Sequence, residues 1–226
     1  MNQTLARRVV AEVLGTSFLL AAVVGSGIMA ERLAGADTAL ALLANTIATG
    51  AALLALILTF GPVSGAHFNP IVSLSSLLGR ELNWKVFALY GCAQIAGAIV
   101  GVMLANTMFS LPVISFSRHA RGGVEQLLSE FVASFGLVMV IAGVARQRSN
   151  AVAFAVAAYI SAACWFTPST SFANPAVTIG RSLSDTFTGI APSNVVGFVL
   201  AQILGGVTAT VLFRWLIPKT ENVETN

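Results

Sequence analysis

Two Asn-Pro dipeptides are the residues of this sequence best placed to do chemistry. Asn69-Pro70 and Asn174-Pro175 each begin a short apolar segment. An Asn side chain caps the free N–H groups of a helix start, and Pro suits the first helical position. The amide nitrogens can also donate hydrogen bonds to a neutral solute. Either dipeptide alone would indicate a turn, but the pair predicts two polar corners that need no nucleophile, metal or cofactor.

Other polar residues also recur in both halves of the chain, inside apolar stretches. They are Glu12 with Glu130, and Gln94 with Gln202, the glutamines lying in the repeated string Ala-Gln-Ile-x-Gly. A carboxylate inside a membrane is a functional candidate, and one hypothesis is proton coupling. Their symmetric placement favours another role, in which the carboxylates accept from backbone N–H groups and brace the segments that follow the Asn-Pro corners. The glutamines are predicted to hydrogen-bond between helices.

The composition indicates a membrane protein. The 226 residues are 56% hydrophobic and 9% charged, whereas soluble domains carry about 25% charged residues. The net charge of +3 does not require a nucleic-acid partner, because the basic residues cluster in short loops, as in the cytoplasmic loops of membrane proteins. The expected partners are the lipid bilayer and small neutral solutes. The two cysteines, Cys92 and Cys164, both lie in apolar stretches, which argues against a disulfide framework.

Six stretches approach the roughly 20 apolar residues that cross a bilayer. They are Val9–Ala30, Thr38–Phe60, Trp84–Phe109, Val124–Ala145, Ala151–Phe166 and Val195–Ile217. The first is interpreted as a retained span, because Glu12 interrupts it and no cleavage site follows. The fifth is short and is expected to extend into flanking polar residues.

Loop charges orient these spans. If the spans alternate, one side carries most of the basic residues, namely Arg7, Arg8, Arg80, Lys85, Arg146, Arg148, Arg214 and Lys219. The other side mixes basic and acidic residues. The positive-inside rule then places both termini in the cytoplasm. We expect the protein to be integral to the cell's inner membrane.

Two further apolar segments, Phe68–Leu78 and Phe172–Leu183, are too short to span and are predicted to be re-entrant half-helices. Gly79 is expected to end the first. Each half has three spans, so the second half inserts upside down, as an inverted repeat. The prediction is an all-α membrane protein with one channel domain over 1–226 and repeats of about 8–110 and 124–218. The half-helix N-termini then meet near the midplane, where their partial positive charge repels cations.

The motifs resemble those of the aquaporin (major intrinsic protein) family. Ser-Gly-Ala-His-Phe-Asn-Pro-Ile, starting at Ser64, and Phe-Ala-Asn-Pro-Ala, starting at Phe172, are similar to its two Asn-Pro-Ala boxes. The resemblance covers essentially the whole chain. It implies a right-handed six-helix bundle, a pore in each protomer and a homotetramer. It places six residues at the pore midplane: Asn69, Pro70, Ile71, Asn174, Pro175 and Ala176.

Two departures from the family pattern bear on the filter. Ile71 replaces the usual Ala of the first box, and it either repacks or reshapes the midplane. Val177 stands where the family has an arginine after the second box. Arg181 follows one helical turn later, as either a residue of the outer vestibule or a solvated interfacial arginine. His67 is either a loop-packing residue or a pore-lining group that responds to pH.

Family spacing assigns the constriction to Thr49, Ala162, Ser171 and Val177, a set without aromatic or charged groups. Cys164 is predicted to point away from the path. Such a gate is expected to be wide and to admit neutral solutes larger than water. The segment Trp165–Asp185 resembles bacterial aquaglyceroporin-like channels associated with arsenic resistance, which favours trivalent arsenite and related metalloid species.

Three alternatives to an arsenite channel remain. The first is a facilitator of glycerol, urea and water without a metalloid role. The second is a proton-coupled secondary transporter, for which Glu12 and Glu130 are the only support. The third is a nonconducting structural tetramer of the same fold.

Overall fold

The computed structural model describes residues 3–217, which form α-helices and no strand. The long helices are α1 (Leu5–Ala34), α2 (Thr38–Ser64), α4 (Trp84–Met108), α5 (Val124–Gln147), α6 (Val152–Phe166) and α8 (Pro192–Leu216). The short ones are α3 (Pro70–Leu78) and α7 (Pro175–Arg181). Within the described range, six helices are long and apolar enough to cross a membrane. The all-α class with six spans is confirmed, while Lys219 and the end of the second predicted repeat lie outside the described residues.

Several of the long helices extend beyond their predicted apolar runs into polar residues. Asp37 begins α2 by accepting from the Leu40 N–H at 3.0 Å, and α2 continues through Pro62 to Ser64. The short fifth span gains one 3₁₀ turn, Ser149–Ala151, as the expected polar extension. Pro192 starts α8 at its first helical position, three residues before the predicted span.

The half-helices begin at their prolines, as the Asn-Pro corners predict, so Phe68 and Phe172 at the start of the two apolar segments lie outside them. Phe68 and Ala173, the residues just before the capping asparagines, have φ angles of 49° and 48°, which a right-handed helix does not allow. α7 ends at Arg181 instead of Leu183. α3 ends at Leu78 with Gly79 as its C-terminal cap, as predicted, although Gly79 has a φ of −73° and the left-handed residue is Arg80, at 62°.

The order of long, long, short and long helices occurs twice. α1 packs against α2 and α4, and α5 packs in the same way against α6 and α8. Three crossings separate the repeats, so the second is inverted relative to the first. Leu5 and Leu216 therefore lie on one side of the bundle, here called the terminal face, and Arg181 points towards the opposite side, the far face. The half-helices α3 and α7 both pack against α4 and α8.

Glycines let the helices of each repeat approach closely. A Cβ at Gly97 of α4 would overlap the Val13 carbonyl oxygen of α1, and one at Gly205 of α8 would overlap the Phe131 carbonyl oxygen of α5. Gly101 meets the Ser17 carbonyl of α1 in the same manner. The recurring Ala-Gln-Ile-x-Gly string thus places a glycine at the same helix crossing in both halves.

Ile71 is accommodated by a glycine on α8. Its side chain is 1% exposed and packs with Val138 and Ala209. A Cβ at Gly206 would overlap the Ile71 Cγ2 methyl. In the other half, Ala176 and Ala98 share the central apolar cluster, and Ala98 corresponds to Gly206 in the repeated string. The larger residue at one box is therefore matched by a smaller residue on the facing helix, which corresponds to repacking, one of the two alternatives for Ile71.

The α1–α4 crossing yields a first prediction. We expect Gly101→Ala to lower the free energy of unfolding by about 1–3 kcal/mol, because the added methyl meets backbone rather than a mobile side chain. Gly91→Ala, in the same helix with nothing within 4 Å of its Cβ, is the control and should be neutral or slightly stabilising. Thermal unfolding in detergent measures both. Equal destabilisation by the two variants would contradict the close crossing.

The Ile71–Gly206 match yields a second prediction. Gly206→Ala alone overpacks the site, and Ile71→Ala alone leaves a cavity, so each should destabilise the fold. The double variant should be more stable than the sum of the single effects by about 0.5–3 kcal/mol. Pairing Ile71→Ala with Gly91→Ala provides the additive control. Additive effects for Ile71→Ala with Gly206→Ala would show that the two residues do not compensate.

Candidate functional site

The two Asn-Pro corners meet at the centre of the bundle and hold each other. The Asn69 Nδ2 donates to the Ala173 carbonyl at 2.7 Å, and the Asn174 Nδ2 donates to the Phe68 carbonyl at 2.8 Å. The Oδ1 of each asparagine caps its own half-helix, at Ile71 N and at Ala176 N, both at 2.9 Å. A side-chain amide carries two N–H donors. In each asparagine one N–H donor therefore remains available to the space between the corners.

Glu12 supports the loop that precedes α3. Its two carboxylate oxygens accept from the His67 N–H at 3.0 Å, the Phe68 N–H at 2.7 Å and the Ser64 hydroxyl at 2.6 Å. The Gln94 side chain of α4 donates to the same carboxylate at 2.8 Å. Glu12 is fully buried. The carboxylate therefore satisfies backbone donors that no helix supplies with a partner.

Glu130 supports the loop that precedes α7 in the same way. It accepts from the Phe172 and Ala173 N–H groups, both at 2.9 Å, and from Gln202 of α8 at 2.6 Å. Gln202 also donates to Thr178 of α7 at 2.8 Å. All four of the polar residues that recur in the two halves thus contact a box loop or its half-helix, as the bracing hypothesis expects.

The braced loops contain strained backbone at matching positions. Ala66 and Phe68 in the first loop, and Ser171 and Ala173 in the second, have φ between 48° and 50°. Each non-glycine residue in this conformation costs about 1–2 kcal/mol. The charge-assisted hydrogen bonds from Glu12 and Glu130 offset that cost, because they are roughly twice as strong as neutral ones.

A cavity of about 280 Å³ passes the two corners. It extends from Ser76 and Glu81, near the terminal face, to Asn45 and Arg181, near the far face. Asn69 and Asn174 line it between these ends, whereas Ile71 and Ala176 pack in apolar clusters behind them. Apolar side chains form much of the wall; they include Leu53, Ile57, Val72, Leu137, Val156 and Ile160. The arrangement is a mostly apolar passage with hydrogen-bond donors at its midplane.

Three of the four predicted constriction residues line this cavity: Thr49, Ser171 and Val177. Ala162 does not, and assigning it to the gate was wrong, because it lies on the outer surface of α6. The side of α6 that faces the cavity carries Val156, Ile160 and Cys164, which follow one another at four-residue intervals. The prediction that Cys164 points away from the path was therefore also wrong.

Arg181 is not a solvated interfacial residue. It is 5% exposed, lines the cavity and donates through Nε to the Thr188 carbonyl. Its guanidinium carbon lies 3.4 Å from the centroid of the Phe172 ring, and Phe172 lines the cavity too. The predicted absence of aromatic and charged groups holds for Thr49, Ser171 and Val177 but not for the far end of the passage as a whole.

His67 lines the cavity on the approach from the terminal face. Its Nδ1 lies 3.0 Å from the Ser73 hydroxyl of α3, and its ring meets the Tyr90 ring edge-on at 5.4 Å. Tyr90 in turn donates to the Ser64 carbonyl at 2.7 Å and accepts from the Arg8 Nε at 2.8 Å. The side chain is therefore both packed in the loop and part of the wall, so the two hypotheses for His67 are not exclusive.

The comparisons with known proteins agree with this geometry. The family model described as major intrinsic protein matches residues 1–152 and 146–226. The chain is 56% identical over 213 residues to Aquaglyceroporin AqpS of Rhizobium meliloti (strain 1021), covering 94% of this chain and 91% of that protein. It is 32% identical over 193 residues to Aquaporin NIP1-3 of Oryza sativa subsp. japonica, covering 82% of this chain and 66% of the rice protein.

A solved structure has the same fold. The X-ray structure of the aquaglyceroporin from Plasmodium falciparum aligns with a TM-score of 0.73 at 19% identity, covering 95% of this chain and 98% of that one. Two family-model matches that together cover the chain, a relative at 56% identity and the paired Asn-Pro corners all lead to one assignment. The chain belongs to the major intrinsic protein family.

Proposed function

We propose that this protein conducts trivalent inorganic arsenite, As(OH)₃, and related neutral metalloid hydroxides, with glycerol and water as further permeants. As a member of its family, it is a membrane channel for small neutral solutes and not an enzyme. The observation that carries the finer proposal is Val177 in the cavity wall, where the family places an arginine. A short apolar side chain there leaves room for a compact solute with several hydroxyl groups.

The midplane supports neutral solutes over ions. α3 and α7 both begin at the corners, so the partial positive ends of their backbone dipoles face the passage. The free N–H donors of Asn69 and Asn174 offer hydrogen bonds to a hydroxyl oxygen as it leaves water. A cation receives repulsion there instead. An uncharged triol-like solute can exchange water for these donors along an otherwise apolar wall.

A glycerol, urea and water facilitator without a metalloid role is the main alternative. The similarity to a protein named as an aquaglyceroporin favours glycerol passage. The proton-coupled alternative has lost its support, because both carboxylates are occupied by backbone N–H groups and a glutamine. The cavity past the two corners disfavours a nonconducting structural role.

The proposal also covers the orientation of the protein in the membrane and its oligomeric state. The terminal face carries most of the basic residues of the described chain, which supports cytoplasmic termini in the inner membrane. These residues are Arg7, Arg8, Arg80, Lys85, Arg146, Arg148 and Arg214. Large apolar side chains such as Leu40, Leu43 and Ile47 of α2 are exposed on a single protomer. Lipid and neighbouring copies in a homotetramer would cover them.

A liposome solute panel is the direct test. We expect arsenite and glycerol to enter protein-containing liposomes down their gradients at rates that an imposed proton gradient does not change. Stopped-flow light scattering measures glycerol, urea and water, and elemental analysis measures arsenic. Glycerol flux without arsenite flux would favour the plain facilitator. Uphill movement driven by protons would overturn the channel mechanism.

The Val177 position provides a mutational prediction. Val177→Arg should lower arsenite and glycerol permeability by about tenfold or more, equivalent to about 1.4 kcal/mol of added barrier, while reducing water permeability less. The physical reason is that a long charged side chain would occupy a cavity now lined by a valine. Val177→Ile is the matched control and should keep the selectivity of the natural protein. An unchanged solute panel for correctly inserted Val177→Arg would remove the basis of the proposal.

A further inference from the structure

The far end of the cavity contains a buried guanidinium with unused donors. Arg181 donates through Nε to the Thr188 carbonyl. Its Nη1 and Nη2 groups, with four N–H bonds between them, donate to no residue of the described chain. Within residues 3–217 the one ion pair within 4 Å joins Arg118 and Asp185, so no described carboxylate pairs with Arg181. Because guanidinium is a donor only, these groups require acceptors from the cavity.

The position of Arg181 places these donors on the solute path. It is the last residue of α7, seven residues after Asn174, which corresponds to about 10 Å along the helix. Val177 lies one turn nearer the midplane, and both residues line the cavity. The natural chain thus lacks an arginine after its second box but has a cavity-lining arginine one turn further out.

Phe172 and a short loop hold the guanidinium in place. The Arg181 guanidinium lies over the Phe172 ring at 3.4 Å, a close cation–π arrangement. The Thr188 carbonyl that accepts from Nε belongs to the loop between α7 and α8. The Phe172 ring and the Thr188 carbonyl fix the orientation of the guanidinium plane. The Nη groups are therefore preorganised to donate to a solute.

Arg121 packs over the same ring but is used differently. Its guanidinium carbon is 5.1 Å from the Phe172 centroid, and its three nitrogens donate to the carbonyls of Gly189, Ser169 and Phe187. It is not among the residues that line the cavity. Arg121 therefore ties loops together, whereas Arg181 leaves its Nη donors in the passage. The two residues form a natural matched pair.

A second polar group beside the ring also lacks a partner. Ser171 is 5% exposed and lines the cavity, and its hydroxyl makes no hydrogen bond to the described chain. It immediately precedes Phe172, on whose ring Arg181 lies. A buried hydroxyl without a partner costs about 1–3 kcal/mol. A hydroxylated solute that both donates and accepts would satisfy the Ser171 hydroxyl and the Arg181 donors.

We propose that Arg181 and Ser171 form a docking site at the far end of the channel for a neutral solute with several hydroxyl groups. The site deepens the proposed function and rests on it. The solute hydroxyl oxygens accept from the Arg181 Nη groups, and a solute hydroxyl pairs with the Ser171 Oγ. The docked molecule exchanges hydration for these contacts before it meets the apolar wall. The uncompensated positive charge also opposes cations at this end, ahead of the midplane.

The test compares Arg181→Met with Arg121→Met in liposomes. Methionine keeps an unbranched side chain but removes the charge and the donors. The readout is the ratio of glycerol permeability to propane-1,2-diol permeability, two solutes that differ by one hydroxyl group. We expect Arg181→Met to lower glycerol and arsenite permeability about tenfold, as for the loss of one charge-assisted hydrogen bond, and to lower the ratio. In Arg121→Met channels that assemble, the ratio should stay that of the natural protein.

Two outcomes would count directly against the site. An unchanged or increased ratio in Arg181→Met would overturn it, as would an equal change in Arg121→Met. If Arg181→Met fails to insert, Arg181→Lys decides: it keeps the charge but loses the planar fork of donors, so a reduced ratio supports docking and an unchanged one overturns it. If the natural protein itself carries neither glycerol nor arsenite, the proposed function fails. Flux in the natural protein with an unaffected Arg181→Met would reject the docking site alone.

Discussion

The rest of the structure depends on satisfying backbone N–H and C=O groups where two loops interrupt the membrane-spanning helices. The lipid tails of a bilayer offer no hydrogen-bond partners, and each unsatisfied group costs several kcal/mol. Here Glu12 and Glu130 accept from the loop N–H groups, and the two asparagine amides donate to the carbonyl of the opposite loop. Each corner therefore has its full set of hydrogen bonds only when both halves are in place.

This reciprocity explains why the two halves match where they touch the loops and diverge elsewhere. The carboxylates, the glutamines and the glycines at the helix crossings occupy equivalent places in both repeats. The residues after the asparagines need only fill volume, so Ile71 with Gly206 replaces the alanine arrangement around Ala176. Dense packing demands a conserved total volume and not the same residue at each position.

The far end of the passage shows how a polar filter can be rearranged without changing the frame. α7 is rigidly capped by Asn174, so a residue one turn along it faces the same cavity from a position further out. Val177 removes bulk near the midplane, and Arg181 keeps a positive charge near the mouth. A single arginine after the second box would both narrow the passage and carry its positive charge. In this chain the wide position and the charged position are instead separate points along the path. A separation of this kind suits solutes that are larger than water and uncharged.

Local sequence determined the spans, the half-helix starts and the bracing carboxylates. Apolar length, an Asn-Pro corner and a buried charge are readable from neighbouring residues alone. The side of α6 that faces the cavity was not readable. That helix is apolar on all sides, so the spacing of its residues does not indicate which side faces the cavity. Packing against α2 and α5 places Cys164 towards the cavity and Ala162 on the outer surface. The sequence also left two alternatives open for Arg181, because its burial depends on Phe172 and on a loop that folds back over α7. Only tertiary structure decides such contacts, since they join segments whose local patterns are independent of each other.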